Sequence, residues 1–301
     1  MDRLKGSVVA LITPFKDDGS IDWDAFASLL EWHVSSKTDA ILVAGTTGES
    51  ATLSHDEHKE LIKFAVEYVK GRKPIIAGTG SNSTREAIDL TEYAASVGAD
   101  ASLLVCPYYN KPTQAGLYQH YRAIAEAVKP HPVILYNVPS RTSRNIEPST
   151  VRKLAEIENI VGIKEASGDM KQVSKIIGSI KRELGRRDFL VLSGDDFTTI
   201  DLMVLGGDGV ISVVANVLPD DTHDMVDAAL KGDYGKARDL HFSLEPVAYA
   251  MFLETNPVPV KTALYLMGKI PVLRLRLPLV SLSAENEAKL KSVLKTRGLI
   301  S

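Results

Sequence analysis

Ile160-Val161-Gly162-Ile163-Lys164-Glu165-Ala166-Ser167 is a short β-branched run that ends on a lysine. A run that is apolar on successive residues, rather than on alternate ones, reads as a strand buried on both faces, as in a parallel sheet. Seven more runs share this character, at residues 8–12, 40–43, 74–77, 101–105, 133–136, 189–193 and 209–213. Amphipathic stretches separate them, over roughly 22–36, 54–70, 84–97, 115–128, 148–157, 171–184 and 198–205. Ser54-His55-Asp56-Glu57 is a capping box, and Glu147-Pro148 puts proline in a first helical turn. Eight strands alternating with helices predict an α/β fold of the (β/α)8 TIM-barrel type. A doubly wound sheet is the competing arrangement, but Gly78-Thr79-Gly80-Ser81-Asn82-Ser83 lacks the third glycine of a dinucleotide-binding loop.

The 301 residues suffice for one large barrel. A hydrophobic share of 45% and a charged share of 24% are those of a soluble globular chain. A net charge of −3 gives no bias toward nucleic acid or an anionic membrane surface. A single cysteine, Cys106, excludes an intramolecular disulfide and suits a reducing compartment. Met1-Asp2-Arg3-Leu4-Lys5-Gly6 carries no apolar signal segment, and no run approaches the ~18 residues of a membrane helix. The expectation is a cytoplasmic protein that engages neither nucleic acid nor membrane. Residues 219–231 complete the barrel, and helical patterns near 234–253, 260–267 and 284–296 form a C-terminal helical extension. The predicted division is a catalytic barrel over 1–231 and a helical domain over 232–301.

Barrel sites lie at the C-terminal ends of strands. Gly45-Thr46-Thr47-Gly48-Glu49 follows the second strand and Pro107-Tyr108-Tyr109-Asn110 the fourth. The fifth ends in Tyr136-Asn137-Val138-Pro139-Ser140-Arg141, the sixth in Lys164, and Gly194-Asp195-Asp196 follows the seventh. Hydroxyls, phenols, one lysine and one arginine therefore converge on one rim, which suits a carbonyl substrate. An amine that must be neutral near pH 7 has to be brought down from about 10.4, a cost of roughly 4–5 kcal/mol. Buried lysines that form Schiff bases are built this way. The alternative is a strand-end lysine that snorkels to water or pairs with Glu165. His55 and His58 stand at i and i+3, a metal-binding spacing that lacks a third ligand and more often marks surface residues. Asp195-Asp196 and Gly206-Gly207-Asp208-Gly209 fall where barrels often hold phosphate, but three carboxylates argue against an anion. Arg274 and Arg276 alternate with leucines, which predicts one packed leucine face and one solvated arginine face.

Together, the Gly45–Glu49 motif, Tyr136-Asn137-Val138-Pro139 and Gly162-Ile163-Lys164-Glu165-Ala166 resemble the dihydrodipicolinate synthase/N-acetylneuraminate lyase family of pyruvate-dependent class I lyases. The similarity runs over essentially the whole chain, including Asn256-Pro257-Val258-Pro259-Val260-Lys261. Thr46-Thr47, in place of Ser-Thr, and Arg141 in Pro139-Ser140-Arg141-Thr142 are similar to the synthase side of that family. The resemblance implies condensation of pyruvate with L-aspartate 4-semialdehyde, giving 4-hydroxytetrahydrodipicolinate on the route to diaminopimelate and lysine, with no cofactor and no metal. It implies Lys164 as the Schiff-base amine and Tyr136 as the adjacent acid and base. Thr46 would link Tyr136 to Tyr109, which in the family reaches in from a neighbouring subunit. Thr47 would hold the pyruvate carboxylate and Arg141 the semialdehyde carboxylate, with Gly194 and Ile211 lining the pocket. Ser50, Ala51, His55, His58, Asn82, Glu86 and Tyr108 match the site where L-lysine inhibits feedback-sensitive members, at a subunit interface of a homotetramer, a dimer of dimers. The sibling reading is a lyase acting on a 2-keto-3-deoxy sugar acid. A metal-dependent aldolase and a non-catalytic sensor or scaffold barrel are the readings from other classes.

Overall fold

A computed structural model describes residues 2–301. Eight strands pair in parallel in chain order: β1 (Gly6–Ala10), β2 (Ala40–Val43), β3 (Ile75–Gly78), β4 (Ala101–Val105), β5 (Val133–Asn137), β6 (Ile160–Glu165), β7 (Leu190–Ser193) and β8 (Gly209–Ser212). The ring closes where β8 pairs with β1, from Gly6 opposite Gly209 to Val9 opposite Ser212. Each strand is buried on both faces. Val8, Leu42, Ile76, Leu103, Ile134 and Leu192 fill the barrel interior. Val9, Ile41, Val43, Leu104, Leu135 and Val191 turn outward against the helices. That double burial is why the strands read as continuous apolar runs.

The outer layer is α1 (Trp23–Ser35), α2 (His55–Val69), α3 (Thr84–Ser96), α4 (Gln114–Ala127), a short α5 (Pro139–Thr142), α6 (Pro148–Leu154), α7 (Met170–Ile177), α8 (Thr199–Val204) and α9 (Pro219–Leu230). Ser54 caps α2, with both arms of the capping box formed, and Pro148 opens α6. Three helices follow, α10 (Tyr234–Met251), α11 (Val258–Leu266) and α12 (Ala284–Thr296); α10 packs on α9 and α12, and α11 on α12. Among the described residues no helix is long and apolar enough to cross a membrane.

Three local readings need correction. Strand one begins and ends two residues before the predicted span, because Leu11 and Ile12 stay buried after the chain has left the ladder. The helix expected over 171–184 is α7 followed by a wider π-helical turn, Gly178–Glu183. The segment around Arg274 and Arg276 does not split into leucine and arginine faces. Arg276 folds inward onto Glu57, Gly19 O and Thr52 O, while Leu277 is 79% exposed.

β6 carries one irregularity that decides the chemistry. Val133 pairs with Ile160 but Ile134 pairs with Gly162, so β6 holds one extra residue at Val161. This is a β-bulge, and it shifts the in–out alternation by one. Val161 points into the barrel, Ile163 points out, and Lys164 comes into register with the inward-facing Tyr136. Glycine is required at the bulge: a Cβ on Gly162 would lie 2.7 Å from the Leu190 carbonyl oxygen.

Candidate active site

The shifted alternation turns Lys164 inward and Glu165 outward. Glu165 therefore does not pair with its neighbour. Its carboxylate accepts from Asn137 Nδ2 (3.0 Å), Gln172 Nε2 (2.9 Å) and the Ser167 backbone (2.7 Å), tying β6 to β5 and α7. Lys164 is 6% exposed, with Nζ 4.4 Å from the centroid of the Tyr136 ring. Its alkyl chain passes over Gly194 so closely that a Cβ there would lie 2.8 Å from Lys164 Cε.

These residues wall a cavity of about 360 Å³ at the C-terminal mouth of the barrel. Thr46, Thr47, Tyr136, Arg141, Lys164 and Gly194 all line it. Ile211 does not: it is 1% exposed within the barrel interior, and Val213, two residues further along, reaches the cavity instead. Tyr109 is also absent from the wall. It is 90% exposed, on backbone with a φ of 70°.

The loop bearing the two threonines is anchored from below. Glu49, in the left-handed region at φ 54°, accepts from Lys261 Nζ at 2.6 Å, and neither side chain has any exposure. The Arg276 backbone N donates to the second Glu49 oxygen, and Thr13 Oγ1 donates to the Gly48 carbonyl at 2.7 Å. Burial pulls Lys261 down to about 8, against the opposing attraction of Glu49. The chain thus buries two lysines near one mouth. One is neutralised by a carboxylate, and the other faces a phenol and open space.

Residues from outside the barrel complete the wall. Asn256 Nδ2 donates to Thr47 Oγ1 (2.9 Å), and Arg141 Nη2 donates to the Asn256 carbonyl (3.2 Å). Phe252, Phe197 and Asp195 also line the cavity. Sequence reasoning placed Asp195 on the rim without a role and gave Asn256, Phe197 and Phe252 no place in the site. Asn256 stands in the quoted Asn-Pro-Val-Pro-Val-Lys segment, which was the one available signal; nothing marked Phe252.

A second cavity of about 410 Å³ abuts the first, and Thr46, Ser50, Gly80, Val105, Val138 and Arg141 border both. Ser50, Ala51, His55, His58, Glu86 and Tyr108 line it, so six of the seven residues grouped by sequence come together. Asn82 sits behind them, donating to the Tyr108 carbonyl at 3.1 Å. The two histidines are not a surface pair. His58 is buried, with Nε2 2.6 Å from the Gly78 carbonyl. A carbonyl only accepts, so Nε2 carries the proton and Nδ1 remains an acceptor. Burial holds the His58 pKa below the usual histidine value, which keeps the ring neutral. His55 instead meets Glu86 Oε1 at 2.8 Å, while Ser81 Oγ donates to Glu86 Oε2.

A buried lysine beside a phenol, with an arginine in the same pocket at the mouth of a (β/α)8 barrel, defines a lyase of the aldolase type. The sequence pattern of the dihydrodipicolinate synthetase family matches residues 3–297, and the chain belongs to that family of pyruvate-dependent lyases. It is 56% identical over 296 residues to the 4-hydroxy-tetrahydrodipicolinate synthase of Thermodesulfovibrio yellowstonii, covering 98% of this chain and 99% of that protein. The chloride-inhibited dihydrodipicolinate synthase of Acinetobacter baumannii, solved with pyruvate, superposes with a TM-score of 0.94 at 48% identity, covering 99% of this chain and 100% of that one. The enzyme of Cyanidioschyzon merolae, solved with lysine bound, gives a TM-score of 0.94 at 41% identity, covering 99% of both chains.

Proposed function

We propose that the protein condenses pyruvate with L-aspartate 4-semialdehyde to give 4-hydroxytetrahydrodipicolinate. The observation that carries this reading is Lys164, buried at the barrel mouth with its amine over the Tyr136 ring, in a cavity that also holds Arg141. Lys164 Nζ adds to the pyruvate ketone and water leaves, forming an imine. The protonated imine draws electrons from the methyl group, which loses a proton to give an enamine. The enamine carbon then attacks the aldehyde carbon, and the resulting alkoxide takes up a proton. The semialdehyde's own amine adds to the imine carbon, closes the ring and frees Lys164. Tyr136 carries the protons, with Thr46 relaying them to Tyr109 of a neighbouring subunit in a homotetramer. The exposed position of Tyr109 supports that arrangement. Thr47 receives the pyruvate carboxylate and Arg141 that of the semialdehyde. Gly194 keeps the floor under Lys164 open, and Ile211 supports it from within. In this reading residues 1–231 form the catalytic barrel and 232–301 a helical domain that covers one side of its mouth, in a cytoplasmic enzyme.

The second cavity is proposed as a site for L-lysine as feedback inhibitor. Glu86 suits an ammonium, and the unprotonated Nδ1 of His58 suits a second donor. The wall shared with the first cavity lets occupation of one be felt in the other. A coupled assay with pyruvate and L-aspartate semialdehyde, run beside N-acetylneuraminate cleavage, tests the assignment. Turnover of the semialdehyde alone is the expected result; cleavage of the sugar acid without semialdehyde turnover would overturn it.

A further inference from the structure

Three charged side chains line the first cavity, and the proposed chemistry uses only two, Lys164 and Arg141. The third is Asp195. Its backbone is fixed, because the carbonyl accepts from Ser193 Oγ (2.8 Å) and Thr199 Oγ1 (3.0 Å). Its Oδ1 accepts from the Phe197 backbone N at 3.0 Å, closing the turn after β7. The adjacent Asp196 is a useful contrast. Both its oxygens are engaged, accepting from Ser212 Oγ (2.5 Å) and from the backbone N of Val213 (3.0 Å) and Val214 (3.3 Å). Asp196 therefore has a complete structural role, while Asp195 lines the cavity and, among the described residues, only its Oδ1 has a hydrogen-bond partner.

Burial pushes the Asp195 carboxyl above the usual carboxylate range, and only the Phe197 backbone hydrogen bond opposes the shift. Among the described residues no cationic side chain offsets it. A carboxylate half-removed from water without a counter-ion is costly, unless the cation arrives with the ligand. The proposed second substrate brings one. L-aspartate 4-semialdehyde carries an α-carboxylate and an α-ammonium on a carbon one methylene from the aldehyde. Both groups must then lie in the same small cavity as Lys164. Arg141 accounts for the carboxylate, and no residue assigned so far receives the ammonium before it gives up its proton and closes the ring.

We infer that Asp195 recognises the α-ammonium of the semialdehyde and so selects an amino-acid aldehyde over its desamino counterpart. Arg141 and Asp195 then form a zwitterion clamp, one charge each, while Lys164 already holds the other substrate as its enamine. This inference rests on the function proposed above and adds a specificity-determining residue to it.

The test compares L-aspartate 4-semialdehyde as substrate with succinic semialdehyde, its desamino analogue, as a competing ligand. Asp195→Asn keeps the Oδ1 acceptor that caps the turn and removes only the charge. Losing a charged hydrogen-bonding partner predicts a fall of about 10- to 100-fold in kcat/KM for L-aspartate semialdehyde. The inhibition constant of succinic semialdehyde should change by less than about threefold, since the analogue has no ammonium to lose. Borohydride trapping of pyruvate on Lys164 reports whether the variant is folded, and its yield should match the wild type. Equal losses for both aldehydes, or no loss for either, would overturn the inference. So would a collapse of pyruvate trapping in both Asp195→Asn and Asp195→Ala, because Asp195 would then serve the architecture. Those results leave wild-type turnover intact, whereas a wild type inert toward L-aspartate semialdehyde would remove the functional reading and the inference with it.

Discussion

The side-chain amide of Asn256 donates to the Thr47 hydroxyl across 2.9 Å, joining the segment before α11 to the loop after β2. The same residue's carbonyl accepts from Arg141. One position outside the barrel thus touches both groups proposed to hold substrate carboxylates.

Asn256→Asp keeps the size of the side chain and places negative charge beside Thr47. The Michaelis constant for pyruvate should rise about tenfold or more, with a smaller change in thermal midpoint, since a misplaced hydrogen bond to an anion is worth about 1.5–3 kcal/mol. Steady-state kinetics at saturating semialdehyde measure this. An unchanged constant would mean that Thr47 needs no orientation.

Incubation with pyruvate and borohydride should inactivate the enzyme and add a reduced pyruvyl mass to the peptide containing Lys164. Lys164→Arg should lose most of the rate, because a guanidinium stays protonated and cannot attack a ketone. Activity should survive EDTA. Loss on chelation with recovery on adding zinc would point to a metal-dependent aldolase instead.

Arg141→Ala should reduce kcat/KM for the semialdehyde by roughly 30- to 150-fold while leaving pyruvate adduct formation nearly intact. Tyr136→Phe should slow proton transfer, a loss on the order of 10²–10⁴-fold. Equal effects of Arg141→Ala on both substrates would make that arginine structural.

The barrel was legible because every strand is sandwiched between two apolar layers, which leaves an uninterrupted hydrophobic signature. Strand ends were less legible: Leu11 and Ile12 remain buried beyond the ladder, so hydrophobicity could not mark where pairing stops. Lys164, Tyr136, Thr46, Thr47 and Arg141 were readable as a group because barrel topology brings strand ends to one rim. Asn256 and Phe252 were not, since they reach the rim from a segment whose docking depends on tertiary contacts. Glu49 sits in the same short motif as the threonines, yet it turns into the protein to meet Lys261, 212 residues away. No local pattern carries that pairing.

That pairing also predicts a stability effect. Lys261→Met leaves the Glu49 carboxylate buried without its ion-pair partner, a cost of roughly 3–5 kcal/mol, and the thermal midpoint should fall by on the order of 10 °C. Adding Glu49→Gln should recover much of the loss, because the orphaned charge is gone. Scanning calorimetry of the two variants distinguishes this from simple cavity formation, which the second substitution would not repair.

L-lysine should inhibit partially and without competing with pyruvate. Glu86→Ala and His58→Ala should each weaken the inhibition, the first by removing the carboxylate that meets an ammonium and the second by removing the Nδ1 acceptor. A flat rate up to millimolar lysine, with no heat of binding by titration calorimetry, would remove the regulatory claim and leave catalysis untouched.

The extra residue in β6 acts as a phase switch for the barrel's interior. Counted from Val161 by simple alternation, the inward position at the strand end would belong to Glu165, and Lys164 would face the helices. The bulge offsets the count and exchanges them. The same residues run as an unbulged strand from Val161 would put an acid where a nucleophile now stands, with both side chains unaltered. What the barrel can do to a ketone depends on where its pleat changes step.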